Sequence, residues 1–243
     1  MGGALVISPD PGPLEYILIV GMNSGVRLQE LVKAYPHAHF LGVDVDLEQI
    51  RTAIQPNCRF HQMNDFTQPF PAKTGSVDLV TQHFMYLQIG LHAWRPLIQE
   101  YFRVLKPGGC IDMVEVDAVI IRGGDAVGKL NRLFERSIRA HGVPHRATRR
   151  IRPLLDDVGF VDTEVRIVSI PVGHWAGRMG ISGMRLSFHH FSQFKESIFK
   201  SNPGLTLEEL EDTLALAVVE SNEHHAYRNV FVYTARKPFE EES

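Results

Sequence analysis

The chain has 243 residues, 25 lysines and arginines against 28 aspartates and glutamates, and a formal net charge of −3. Hydrophobic residues make up 44% and charged residues 22%, which excludes disordered and fibrous chains and argues against a general polyanion binder. The only two cysteines, Cys58 and Cys110, lack metal-ligand spacing and read as small buried apolar residues of a reducing compartment. No apolar run is long enough to cross a bilayer and no secretory leader is read, so a soluble, cytoplasmic protein is expected.

Tyr16–Val20 is an uninterrupted apolar run ending at Gly21, the pattern of a strand buried on both faces. Val26–Tyr35 carries Leu28, Leu31 and Val32 at helical spacing, and Pro36 closes it. His39–Val43 predicts a second strand ending at Asp44, Leu47–Ala53 a second helix, Arg59–Met63 a third strand and Val77–Thr81 a fourth. Trp94–Leu105 predicts a helix stopped by Lys106-Pro107-Gly108-Gly109, and Ile111–Val116 a fifth strand. This alternation is that of βα units wound on both sides of a parallel sheet, a doubly wound α/β fold. After Asp117 the rhythm changes. Gly123–Ala140 and Thr148–Val158 predict helices, the second capped by Gly159, and Val161–Val172 a strand. Residues 179–225 read as mostly helical, with an amphipathic helix opening at Thr206, and Asn229–Ala235 as a last strand. The reading is one domain over 1–243, with a core at 1–117 and a helical insertion at 179–225 between the last strands.

The first strand runs into Gly21-Met22-Asn23-Ser24-Gly25 and a helix. Such a loop brings backbone amides and a helix amino end up to a ligand. A G-x-G-x-x-G reading fails at Asn23 and Val26, whereas G-x-G-x-G fails only at Asn23, and asparagine tolerates positive φ. Asp44, at the end of the second strand, is placed to accept hydrogen bonds from ribose hydroxyls. Asp65, in Asn64-Asp65-Phe66, is placed to accept from an adenine amino group, with Phe66 available to pack on the ring; both acids also suit ordinary turns.

Together these residues resemble a class I S-adenosylmethionine-dependent methyltransferase. The resemblance is carried by Ile17–Gly25, Gly42-Val43-Asp44, Asn64-Asp65-Phe66, Ser76-Val77-Asp78-Leu79-Val80 and Arg103-Val104-Leu105-Lys106-Pro107-Gly108-Gly109. The distal Pro171-Val172-Gly173-His174-Trp175 and Tyr233-Thr234-Ala235-Arg236-Lys237-Pro238 are similar to the LaeA-like methyltransferases of fungal secondary metabolism. The resemblance implies a Rossmann-like seven-stranded sheet, a cofactor-binding core over 1–117 and a substrate-pocket cover at 179–225. It implies S-adenosylmethionine held by Gly21, Asn23, Gly25, Asp44, Val45, Asn64, Asp65, Phe66, Gln82 and His83. Two positions depart from the family pattern: Ile19 replaces an acidic residue, and Asn23 the middle glycine.

Methyl transfer from a sulfonium is a direct displacement that positioning alone accelerates, and an oxygen or nitrogen acceptor gains from a base with a pKa near the working pH. His83, after the fourth strand, is the first candidate; Glu115 at the end of the fifth and His174 in the distal segment are the others. The pairs His189-His190 and His224-His225 lack the spacing of a helical metal site, so no metal is expected. Nine basic residues between 122 and 152 face only Asp125 and Glu135. Aromatic interleaving there is limited to Phe134, which favours a solvated face over a nucleic-acid surface. Met184, Leu186, Phe188, Phe191 and Phe194 suit core packing or the wall of a pocket for a large apolar acceptor. The expected activity is therefore O- or N-methylation of a small, largely apolar metabolite. A methyltransferase-fold cyclase or isomerase and a non-catalytic regulatory module are the alternatives. The short segment ahead of the first strand leaves room for a second subunit of a homodimer.

Overall fold

Ile17 and Ile19 pack with Leu28 and Leu31 on one face of the sheet, while Leu18 and Val20 join the larger core on the other. The uninterrupted apolar run is thus a strand covered on both sides. In this computed structural model, which describes residues 6–8, 11–50, 55–143 and 146–242, seven strands form one sheet in the order β3-β2-β1-β4-β5-β7-β6. They are β1 (Tyr16–Val20), β2 (His39–Asp44), β3 (Cys58–Gln62), β4 (Val77–His83), β5 (Leu105–Ile121), β6 (Val161–Pro171) and β7 (Tyr227–Arg236). The first five run parallel and β7 runs antiparallel between β5 and β6. The order reverses between β1 and β4, and in doubly wound sheets ligands bind in the crevice at that switch point, outside the carboxyl ends of the strands.

Helix α1 (Val26–Ala34) covers one face. The other face carries α2 (Trp94–Val104), α3 (Gly124–Ala140) and α4 (Ile151–Val158), together with α5 (Gly177–Gln193), α6 (Lys195–Ser201) and α7 (Leu207–Glu223), which lie between β6 and β7 in the chain. Cys58 and Cys110 are both buried, and neither is in a disulfide. Among the described residues no helix is long and apolar enough to cross a membrane.

Three features differ from expectation. The second helix shrinks to a 3₁₀ turn, Leu47–Gln49, capped by Asp46, whose Oδ1 accepts from the Glu48 amide at 3.0 Å; Arg51 to Ala53 of that expectation lie outside the described residues. Lys106-Pro107-Gly108-Gly109 is the start of β5, not a loop ahead of it. The residue before a proline is held extended, so α2 ends at Val104, and its last carbonyls are taken by Lys237, whose Nζ donates to Phe102 O and Leu105 O at 2.7 and 2.8 Å. The far end of β5 continues to Ile121 across an irregularity between Val116 and Ile120, because β7 offers it Arg228 and Tyr227 as partners.

Candidate active site

Three of the five residues in the loop after β1 adopt left-handed backbone: Gly21 at φ 79°, Asn23 at 46° and Gly25 at 80°. Asn23 takes up left-handed backbone, as its short polar side chain allows. The Gly21 amide donates to Val43 O at 2.9 Å, so the loop starts in register with β2 and meets its last residue.

That residue, Asp44, is buried and joins two loops. Its Oδ2 accepts from the Met22 and Asn23 amides at 2.6 and 3.2 Å, and its Oδ1 from the Val45 and Asp46 amides at 2.7 and 3.2 Å. A carboxylate offers about four lone-pair directions, and each meets an amide here. Asp65 is exposed and closes a turn, its Oδ1 accepting from the Thr67 amide at 2.7 Å and from the Thr67 hydroxyl; those bonds hold its carboxyl below the usual range. Asn64 is exposed beside it, Val45 is half-buried, and Phe66 is turned into the core.

Across the switch point, the end of β4 presents Gln82 and His83. Burial, with the Arg27 guanidinium nearby, drives the His83 imidazole down to about 3. It is therefore a neutral ring at neutral pH and a weak base, and its Nε2 has no hydrogen-bond partner among the described residues. The His83 carbonyl accepts from Asn23 Nδ2 at 3.3 Å. Gln82 is fully buried; its Nε2 donates to Glu115 Oε1 at 2.5 Å, and its Oε1 accepts from the Tyr101 hydroxyl.

Glu115 holds this loop from below. It also accepts from the Met85 and Tyr86 amides at 3.1 and 2.9 Å. Burial pushes its carboxyl up to about 7, against hydrogen bonds that favour the charged form. The loop so held places the Met85 thioether over Gly21, where a Cβ would lie 1.9 Å from Sδ. His174 is not brought to these groups. It sits exposed in the turn after β6, three strand positions from β4, or about 14 Å at the usual strand spacing.

The structure adds a polar cluster that sequence reasoning missed. Asp117, near the carboxyl end of β5, is buried with Oδ2 3.4 Å from Arg149 Nη2 and with Oδ1 unpartnered among the described residues. The buried Arg228 donates from Nε and Nη2 to Asp117 O at 3.0 and 2.7 Å. The Tyr233 hydroxyl donates to Thr148 O beside it. Burial raises the Asp117 carboxyl above its ordinary range although Arg149 and Arg228 pull the other way. One signal was available: Asp117 follows Glu115 by two residues, so the strand alternation puts both on one face.

The residues fit an adenosine cofactor in position. The glycines that a close-approaching ligand needs are left-handed, an acid ends β2, and an exposed acid follows β3. The space over Gly21 is filled by Met85. Clefts of about 790, 480 and 410 Å³ lie instead on the helical layer, lined by none of Gly21, Asp44, Asp65 or His83.

Comparison with known proteins points to a methyltransferase fold. A family model described as a methyltransferase domain matches residues 17–109. The chain is 25% identical to the secondary metabolism regulator LAE1 of Cochliobolus heterostrophus, over 91% of this chain and 76% of that protein. It is 26% identical to the protein-methionine methyltransferase laeA of Emericella nidulans, over 97% of this chain and 65% of that protein. It thus spans about two thirds to three quarters of these relatives. Among solved structures, phosphoethanolamine N-methyltransferase 2 of Haemonchus contortus, bound to phosphomonomethylethanolamine and S-adenosylhomocysteine, aligns with a TM-score of 0.57 at 16% identity, over 93% of this chain and 51% of that one. Residues 17–109 thus match a methyltransferase domain, of the kind whose cofactor is S-adenosylmethionine, and over most of its length the chain is similar to LaeA-like proteins.

Proposed function

We propose that the chain transfers a methyl group from S-adenosylmethionine to an oxygen or nitrogen of a small, largely apolar metabolite. The observation that carries this reading is the Asp44 carboxylate at the end of β2, bonded to the loop that follows β1, inside the segment matched by the methyltransferase-domain model. The bound cofactor supplies an electrophilic methyl group on a sulfonium. The chain would supply the glycine loop at Gly21–Gly25, the Asp44 oxygens for ribose hydroxyls once its longer bonds to the Asn23 and Asp46 amides part, Asn64 and Asp65 for the adenine edge, and the β4 end at Gln82 and His83.

On the acceptor side, the buried Asp117 oxygen without a partner is the group we assign to take the acceptor's proton, since burial moves its carboxyl toward the range of a working base. His83 acts as a neutral hydrogen-bond acceptor, and Glu115 positions the β4 loop. The cleft of about 410 Å³ walled by Phe188, Phe191, Leu210, Leu214 and Val218 gives the 179–225 segment an apolar surface suited to such an acceptor. A homodimer and a cytoplasmic location are expectations of the sequence.

The test is incubation with S-adenosylmethionine and a panel of small acceptors, read by mass spectrometry. A product heavier by one methylene supports the reading, and a product of unchanged mass supports the cyclase alternative. The name of the Emericella nidulans relative puts a second acceptor class beside the first, a protein methionine.

A further inference from the structure

We infer that Asn23 is a latch that holds the cofactor crevice closed and so sets cofactor affinity; this rests on the cofactor reading above. The crevice of a doubly wound sheet opens where the strand order reverses, here between the loops after β1 and β4. The Asn23 side-chain amide ties those two loops together through the His83 carbonyl, at 3.3 Å.

Three further observations lie at the same place. Met85 fills the space over Gly21 that a ligand approaching the glycine would need. The Asp44 oxygens are engaged by four amides, with the contacts to Asn23 and Asp46 the longest, each 3.2 Å. The largely buried His83 ring keeps one nitrogen without a partner, inside the loop that the latch holds. A ligand entering here must part Asn23 from His83, shift Met85 and take over Asp44 acceptors from the longer amide bonds. The affinity measured is then the intrinsic affinity of the open crevice scaled by the fraction of molecules that are open.

Asn23 lies in left-handed backbone at φ 46°. Glycine accepts that conformation without strain, so Asn23→Gly removes the amide and leaves the turn. Asn23→Asp keeps the Cβ and replaces the donor with an acceptor facing a carbonyl.

The experiment uses the full chain in two measurements. Hydrogen exchange without ligand reports on the latch alone. Amides of Met22–Gly25 and His83–Tyr86 exchange faster in both variants than in the parent. An unchanged rate in either variant overturns the latch, and acceleration in the glycine variant alone assigns the effect to backbone freedom instead.

Calorimetric titration with S-adenosylhomocysteine reports on affinity. Loss of one neutral hydrogen bond from the closed state makes Asn23→Gly bind roughly 2- to 12-fold tighter. Equal or weaker binding overturns the role in affinity. If exchange accelerates in both variants while no protein, parent or variant, binds the probe, the cofactor reading fails and the role in affinity falls with it.

Discussion

Replacing Gly21 with alanine tests the packing at the centre of the site. The new methyl would lie 1.9 Å from Met85 Sδ, 2.5 Å from its Cγ and 2.8 Å from its Cε, against an optimum of about 3.5–4.0 Å for carbon contacts. Met85 is fully buried, so clearing the methyl means displacing its side chain against packed neighbours. Forcing a methyl into a packed site costs about 1–3 kcal/mol. Holding a non-glycine residue at φ 79° costs about 1–2 kcal/mol more. The sum is about 2–5 kcal/mol, and for a domain of this size it lowers Tm by roughly 4–20 °C. Denaturant melts with an unchanged m-value would read it directly.

A second variant separates the two parts. Met85→Ala alone opens a cavity and costs about 2–5 kcal/mol, but in the Gly21→Ala background it makes room for the new methyl. The double variant should be more stable than the sum of the single effects by about 1–3 kcal/mol. The reasoning fails if Gly21→Ala melts with the parent protein, or if the two changes simply add.

Glu115 predicts a pH dependence. Its folded-state value of about 7 lies above the ordinary 4.5, so the folded protein binds the proton more tightly than the unfolded chain does. Its contribution to stability is greatest below about 4.5 and is lost as pH rises through about 7, roughly 3 kcal/mol in all. Glu115→Gln should flatten that slope in melts between pH 5 and 8, whatever constant offset it adds; an identical slope would show that Glu115 does not titrate there. A third prediction concerns α7, which opens with a reciprocal cap. Thr206 Oγ1 accepts from the Glu209 amide at 3.1 Å, and Glu209 Oε2 accepts from the Thr206 amide at 3.0 Å. Thr206→Ala should cost about 1 kcal/mol and Thr206→Ser should retain most of the stability, measured by thermal melting.

The strands that were legible are those whose burial is written in consecutive residues. Ile17 to Val20 needs no partner to be read as doubly covered, and the turn at Gly21 to Gly25 is fixed by local backbone preference, Asn23 included. The start of β5 was misread because Pro107, Gly108 and Gly109 signal a turn locally, while their pairing comes from Lys237, far along the chain. The site divides in the same way. Asp44 was legible because its position follows from a strand end. The work of Glu115 was not, because its partners are the backbone amides of Met85 and Tyr86, about which the identity of those residues says nothing. Asp117 and Arg228 are 111 residues apart, and only the return of β7 beside β5 brings them together. His174 carries a side chain suited to catalysis, and the strand order alone keeps it from His83.

The place of β7 has a consequence for how the molecule is made. It is the last strand in the sequence, yet it lies inside the sheet with β5 on one side and β6 on the other. During synthesis β6 emerges with no strand to pair with, and α5, α6 and α7 follow before its partner exists. Two of the seven strands therefore wait on residues 227–236, and contacts between β5 and β7 close loops of about a hundred residues, which makes them late and slow to form. Until that strand arrives, the β5 edge and the whole of β6 are open to pairing with other chains. The nascent protein thus passes through a stage at which its own last ten-residue strand competes with its neighbours for the same hydrogen bonds.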